Sequence, residues 1–520
     1  MGMLVLNLNR LMSLPRDRQR RRWQIRARCR RSLVTSRGKR KGSPCQQDGD
    51  GISRAGKTMR SSIPDLPEEI LFHIHSLMPM REAARAACAS RAFLHSWRCH
   101  PNLIFNKDTI GLKINGRGEN FHHKIGRILR KHSGIGLKTF SLDYSYMCGF
   151  DGARYFDSWL QIALKPGIEK LTLWLPTTKK IYNFPCSLLS DGVRNSLQYL
   201  KLHNVALHPT VELCPLRGLT SLHLSDVRIT WDELECLLCN SLALEQLELE
   251  CCAEIIYLKI PCSLQRLSSL SVFSCYRLQV IESKAPNLSS LCLTGHRLNF
   301  SHVETLQVKK LAMYYPNFIG DARGKLPSSM PNLETLVINS QSEVVDAPML
   351  PTKFLYLKHL TIRLLLSPVS RPYDCCSLVS FLDASPSLET LVLDVSQPHM
   401  LYQSVFEDSQ LRHMPTRHHG CLRSVKISGF SSAKCLVELA SYILNNAVSL
   451  ECLTLDTMYG YRCGEGKQKR CHTMEAALFK EAHRALSAVR TYIENKVPST
   501  VKLTVLEPCS RCHASAMFIS

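Results

Sequence analysis

Between about residues 135 and 458 the chain repeats one arrangement of side chains: an apolar residue, two variable residues, then apolar-x-apolar. It reads Leu137-Lys-Thr-Phe140-Ser-Leu142 early on, then Leu197-Gln-Tyr-Leu200-Lys-Leu202 and Leu219-Thr-Ser-Leu222-His-Leu224, and ends with Leu450-Glu-Cys-Leu453-Thr-Leu455, eleven copies in all. Apolar and polar residues alternate within each copy, which predicts a short strand with one buried face. The first residues of successive apolar-x-apolar pairs, at 200, 222, 247, 270 and 291, are 22, 25, 23 and 21 residues apart. Beyond residue 291 the intervals widen to 45, 24, 31, 34 and 28, which implies insertions or longer helices in the later units. Cys435–Asn446 is one such helix, with Leu436, Leu439, Tyr442 and Ile443 on a single face. A weaker copy around Val303–Val308 is expected to fill part of the widest gap.

The two ends follow other patterns. Ile63-Pro64-Asp65-Leu66-Pro67-Glu68-Glu69-Ile70-Leu71 opens a helix: proline suits the first position, and two glutamates complement the positive helix end. Ile70, Leu71, Ile74, Leu77 and Met78 continue at helical spacing until Pro79 stops the run. Two short helical stretches follow, Arg81–Ala89 and Arg91–Trp97. So small an apolar segment must pack on the rest of the chain or on a partner. At the other end, Met474–Asn495 predicts an amphipathic helix with Ala477, Leu478, Ala485, Leu486, Val489, Tyr492 and Ile493 inward, followed by a last strand, Val501–Leu506.

A unit of 20–29 residues that cannot bury its own strand face is the mark of a leucine-rich-repeat solenoid. The expected fold class is α/β: a small helical segment, then a repeat solenoid of horseshoe shape with a helix-strand C-terminal cap. The domain reading is a disordered basic leader at 1–60, the helical segment at 61–105, the solenoid at 106–458 and the cap at 459–520.

Charge changes the picture only at the N-terminus. The formal net charge is +23, and residues 1–60 alone supply 17 Lys/Arg against Asp17, Asp48 and Asp50. Nine arginines within Arg16–Arg31, followed by Lys39-Arg40-Lys41, suit an inert solvated tail, a nuclear-import signal or an organellar leader; binding of nucleic acid through this charge is the less favoured reading. The 23 cysteines are scattered through apolar runs without the regular spacing of a secreted disulfide framework, so they read as reduced thiols of an intracellular protein. No stretch approaches the roughly 20 apolar residues of a membrane span.

Catalytic patterns are absent from the sequence: it has no phosphate-binding glycine loop, nucleophile elbow or paired zinc-protease histidines. His122-His123 and His418-His419 read as surface pairs, and the acidic residues of Leu244-Glu-Gln-Leu-Glu-Leu-Glu250 as the outward face of a strand. The best metal candidate combines Cys463, Cys471 and His472 with Cys509-x-x-Cys512-His513. The first half lacks tight spacing, so the preferred reading is a terminal strand with incidental thiols, with no metal and no cofactor.

Ile63–Trp97, with Leu66-Pro67, Ile70-Leu71, Ile74 and Trp97 in the expected places, resembles an F-box. The rest resembles plant F-box proteins with leucine-rich repeats, particularly the FBD-like group, whose C-terminal module is similar to residues 420–456, including Leu422-Arg-Ser-Val-Lys-Ile-Ser-Gly-Phe430. The segment departs from the F-box pattern in its Ala-rich middle, Arg81–Ala89. The resemblance implies a non-catalytic substrate-recognition subunit of an SCF-type ubiquitin ligase, in the nucleus, the cytoplasm or both. Leu66, Pro67, Ile70, Leu71, Ile74, Leu77 and Trp97 would bind a Skp-type adaptor, and through it a cullin. The repeats would bind an unknown substrate protein. The alternatives are a repeat scaffold outside any ligase, or a nucleic-acid-associated protein led by its basic tail.

Overall fold

A computed structural model describes Pro67–His513, apart from Ser90 and residues 112–118, 147–151, 178–179, 210–215, 296–298, 304–306, 344–345, 366–372, 397–402 and 465–469. The basic leader and Leu66 lie outside the described residues.

Three helices come first: α1 (Glu68–Leu77), α2 (Met80–Ala89) and α3 (Arg91–Arg98). The Pro67 carbonyl accepts the first helical bonds of α1, from the N–H groups of Ile70 (3.0 Å) and Leu71 (3.1 Å). Met78 turns extended ahead of Pro79 and ends the helix.

The chain then builds a sheet of fifteen strands, each laid parallel beside the strand of the preceding unit, from Asn102–Phe105 to Lys502–Leu506. The register is in phase throughout the repeats: Leu200 pairs with Leu222, Leu222 with Leu247, and Leu270 with Leu247 and Leu291. These leucines, and Leu197, Leu219, Leu244, Leu267 and Leu288 three residues ahead of them, are all buried. A single core therefore runs the length of the array, as a solenoid requires. At the end of many strands one residue takes a left-handed conformation that turns the chain off the sheet. Asn204, Asp226, Cys251, Ser274, Asn317 and Ser342 do so, with φ of 50–55°, and Gly429 does so with φ of 70°.

Helices or short strands line the far side. They include Trp231–Cys239, whose N-cap Thr230 and Glu233 cap each other reciprocally, and a three-stranded parallel sheet of Tyr257–Ile260, Val280–Ser283 and Asn299–Val303. Among the described residues no helix is long and apolar enough to cross a membrane.

Several expectations change. The strand that fills the 45-residue gap is Lys310–Pro316, with Leu311 and Met313 inward, while Val303 ends a strand of the second sheet. The strand Lys170–Trp174 (Leu171, Leu173) also belongs to the array. Ile168 and Val308 hold the buried position where most other units have leucine, which hid both copies. The main sheet also extends outside residues 106–458. Asn102–Phe105 is already in the main sheet, and Lys502–Leu506 pairs with Cys452–Asp456, so the cap contains a further unit. Its helix, Ala476–Tyr492, buries Phe479 and Ala482, whereas Ala477 is exposed.

Candidate functional site

The apolar stripe of α1 divides into two faces. Ile70, Ile74 and Leu77, spaced i, i+4 and i+7, lie on the outer face; Ile70 is 46% and Leu77 72% exposed. Leu71 and His75 lie on the inner face and are buried, with the His75 ring stacked on Phe93 at 4.8 Å between centroids. Pro67 is exposed, and Leu94 of α3 adds to the exposed apolar surface. Trp97 packs against the core, its ring 5.6 Å from that of His100.

Two of the residues expected to meet the adaptor are thus buried or half-buried in the chain itself. Leu71 is turned inward on the side of α1 that packs on α3, and Trp97 packs on the core, because one face of so small a segment must dock on its own chain. The Ala-rich middle has the same cause: Met80, Ala83 and Ala87 form the buried face of α2, where small side chains allow close approach. The Sδ of Met80 accepts the N–H of Ile104 in the first strand (3.2 Å). A relay of histidines continues the junction. His100 bonds the Met78 carbonyl (3.4 Å) and His132 the His100 carbonyl (2.9 Å), and burial lowers the pKa of both.

The open face of the sheet presents the residues between the buried leucines in rows. Across the strands Lys170–Trp174 to Gln246–Glu250 these form a bonded polar patch. Lys201 lies over Trp174 (5.4 Å), His203 Nδ1 meets Ser225 Oγ (3.0 Å), and Ser225 donates to Glu250 (2.9 Å). His223 Nδ1 bonds Glu248 (2.7 Å), while its Nε2 bonds Ser221 Oγ (2.8 Å). The last trio has the hydroxyl–imidazole–carboxylate order of a hydrolase. Ser221 is buried, however, and parallel ladders on both sides of its strand consume the N–H groups an oxyanion would need. The trio therefore lacks the oxyanion-binding groups that a hydrolase places beside its serine. Glu248 and Glu250, expected to be solvated, are half-buried in the patch. Further along, the middle row becomes small and mostly uncharged at Ser271, Cys292, Ala312, Val337, Thr361 and Val392, beside the Arg363–Asp394 pair (3.0 Å).

Each histidine pair has one exposed member, His123 or His418, and one buried member. His122 is buried against Tyr155, and His419 is buried with its Nε2 3.0 Å from Tyr442 Oη. Of the six metal-candidate residues, the four thiols of Cys463, Cys471, Cys509 and Cys512 lie together. His472 and His513 stand apart, bonded to backbone carbonyls of Thr473 and His472 respectively.

A family model described as At1g61320/AtMIF1, LRR domain, matches residues 128–510, nearly the whole array. The chain belongs to this family. Its relatives in Arabidopsis thaliana carry the F-box and FBD in their names, in agreement with the FBD-like resemblance. F-box/FBD/LRR-repeat protein At1g13570 is 24% identical over 415 residues, 76% of this chain and 91% of its own length. At1g61330, named as an FBD-associated F-box protein, is 21% identical over 473 residues, 84% of this chain and 99% of its own. At5g02930, named as an F-box/LRR-repeat protein, is 26% identical over 211 residues, and the match spans only 42% of its length. A solved internalin (inlF) of Listeria monocytogenes aligns over 65% of this chain and 88% of its own at 15% identity, with a TM-score of 0.26, too low to carry an argument. For this LRR family member, the open sheet face and the outer face of α1 are the two surfaces left to account for.

Proposed function

We propose that the protein is a non-catalytic substrate-recognition subunit of an SCF-type ubiquitin ligase. The observation that carries this reading is the outer face of α1. Ile70 and Leu77 are exposed and Ile74 half-buried on a helix whose other face is already occupied by α3. A helix face of this kind suits a hydrophobic groove, and a Skp-type adaptor is the partner that the F-box names of the relatives suggest. The adaptor would join the chain to a cullin. The open face of the repeats, with its ordered patch around His223 and Glu248, would hold a target protein beside the ubiquitin-carrying enzyme. Its contribution is positioning, not bond chemistry. On this reading the chain acts in the nucleus, the cytoplasm or both, wherever the adaptor and cullin are assembled.

The test is co-precipitation of the full chain with a Skp-type adaptor and its cullin, beside a Leu66→Ala/Pro67→Ala variant. Association of the wild-type chain and its loss in the variant are expected. A wild-type chain that captures no adaptor would remove the ligase reading and leave a repeat scaffold.

A further inference from the structure

Cys463, Cys471, Cys509 and Cys512 come from two segments separated in sequence by a helix and a strand, yet their four Sγ atoms all lie within 4.8 Å of one another. Cys463 Sγ and Cys509 Sγ are 3.5 Å apart. We propose that these four cysteines bind one structural zinc ion that closes the C-terminal end of the solenoid.

The fold delivers the thiols by a definite route. Cys452–Asp456 and Lys502–Leu506 pair in parallel, so their C-terminal ends emerge side by side. Arg462 fastens the two exits. Its Nε donates to the buried Asp456 carboxylate (2.9 Å), and its Nη groups donate to the carbonyls of Leu506 (3.0 Å) and Glu507 (2.8 Å). Cys463 is the next residue after that clamp, and Cys509 lies three residues after the end of its strand. Gly464 follows Cys463 with φ of 89°, a turn that suits glycine, and the His472 N–H closes the same loop on the Tyr461 carbonyl (2.9 Å). Cys509 precedes and Cys512 lies on a short helical turn, Ser510–His513, and His513 Nε2 bonds the His472 carbonyl (3.1 Å), tying one cysteine-bearing segment to the other.

The dimensions fit the ion. Zinc–thiolate bonds of about 2.3 Å in a tetrahedron require sulfur–sulfur edges of about 3.8 Å. The 3.5 Å Cys463–Cys509 separation and the 4.8 Å upper limit of the others bracket that figure, within reach of small side-chain rotations. The backbone N–H of Cys463 already points at Cys471 Sγ (3.2 Å), the kind of contact that steadies a thiolate ligand. Four sulfurs fill the coordination shell and leave no open position, so the site is structural rather than catalytic. The local fold also has use for it. Lys502–Leu506 is the last strand of the sheet, with Leu503 and Val505 only half-buried, and one ion would supply the cohesion that the thin apolar packing there lacks.

The full chain, purified under reducing conditions without chelator, is expected to carry about one zinc per molecule by plasma mass spectrometry. Cys463→Ser/Cys509→Ser should lower that content on the order of tenfold, while Cys375→Ser, in the apolar core, should leave it unchanged. Because the double variant can misfold locally, the wild-type chain gives a second readout: cobalt(II) should produce thiolate charge-transfer bands and tetrahedral d–d bands. Chelation should abolish hydrogen-exchange protection in Lys502–Leu506 and spare Ser221–Ser225. Wild-type protein without bound metal and without the cobalt bands would overturn the proposal. So would full zinc retention by the double variant, iron in place of zinc, or a Cys463–Cys509 disulfide in the native protein.

Discussion

The division of α1 into two faces makes a quantitative prediction about binding to the adaptor. Ile70→Ala/Leu77→Ala removes apolar side chains that are 46% and 72% exposed in the free chain. Complete burial of an isoleucine or leucine is worth about 1.5–3 kcal/mol, so the exposed fractions correspond to about 0.7–1.4 and about 1.1–2.2 kcal/mol. If the adaptor covers both, the double variant should bind roughly 20- to 400-fold more weakly. Its thermal unfolding should hardly change, since exposed substitutions lie within about 0.5 kcal/mol of neutral. Leu71→Ala, one residue along the same helix, should do the reverse. It empties a buried site at a cost of about 2–5 kcal/mol and lowers the melting temperature of the chain. Calorimetric titration of each full-length variant with purified adaptor, alongside a melting curve, separates the two effects. Wild-type affinity in the Ile70→Ala/Leu77→Ala variant would refute the outer face as the docking surface. A large loss of stability in that variant would refute the division itself.

Three further outcomes follow from the packing. Gly429→Ala should destabilise the chain by about 3 kcal/mol in urea unfolding, because φ is positive and a Cβ would sit 1.9 Å from the Val395 carbonyl oxygen. Arg412→Met should cost about 3–5 kcal/mol, since Arg412 bridges Asp374 (2.6 Å) to the buried Glu438 (2.7 Å from Nε), and Arg412→Met/Glu438→Leu should recover most of that loss. Stability should also fall with acidification below pH 6.5, the ordinary imidazole value. Burial holds His75, His100 and His132 neutral, with like-charge contacts from His100 and Lys165 adding to it, so the unfolded chain binds more protons in that window. Melting temperature against pH should show the decline; His132→Gln should flatten it, and an unchanged slope would count against the buried relay.

The repeat architecture was legible because it is written in local periodicity. A leucine three residues ahead of an apolar-x-apolar pair can satisfy both positions only in a strand stacked on identical neighbours, and every clear copy occupies the main sheet. Where another apolar residue stands in for leucine, as at Ile168 and Val308, the same physics operated but the pattern faded. The site was legible only by residue type. Ile70 and Leu71 are adjacent and equally apolar, and their opposite fates depend on which face of α1 packs on α3. His223, Ser221 and Glu248 are scattered along the chain until strand register sets them side by side. The four cysteines make the same point most sharply. Their spacing looked irregular because the two halves meet through the pairing of two late strands and the Arg462 clamp between their ends, neither of which is a property of local sequence. The sequence by itself thus determined the repeating unit, a consequence of short-range alternation and burial. Only the tertiary structure decided which side chains face outward or meet, because those contacts join residues far apart along the chain.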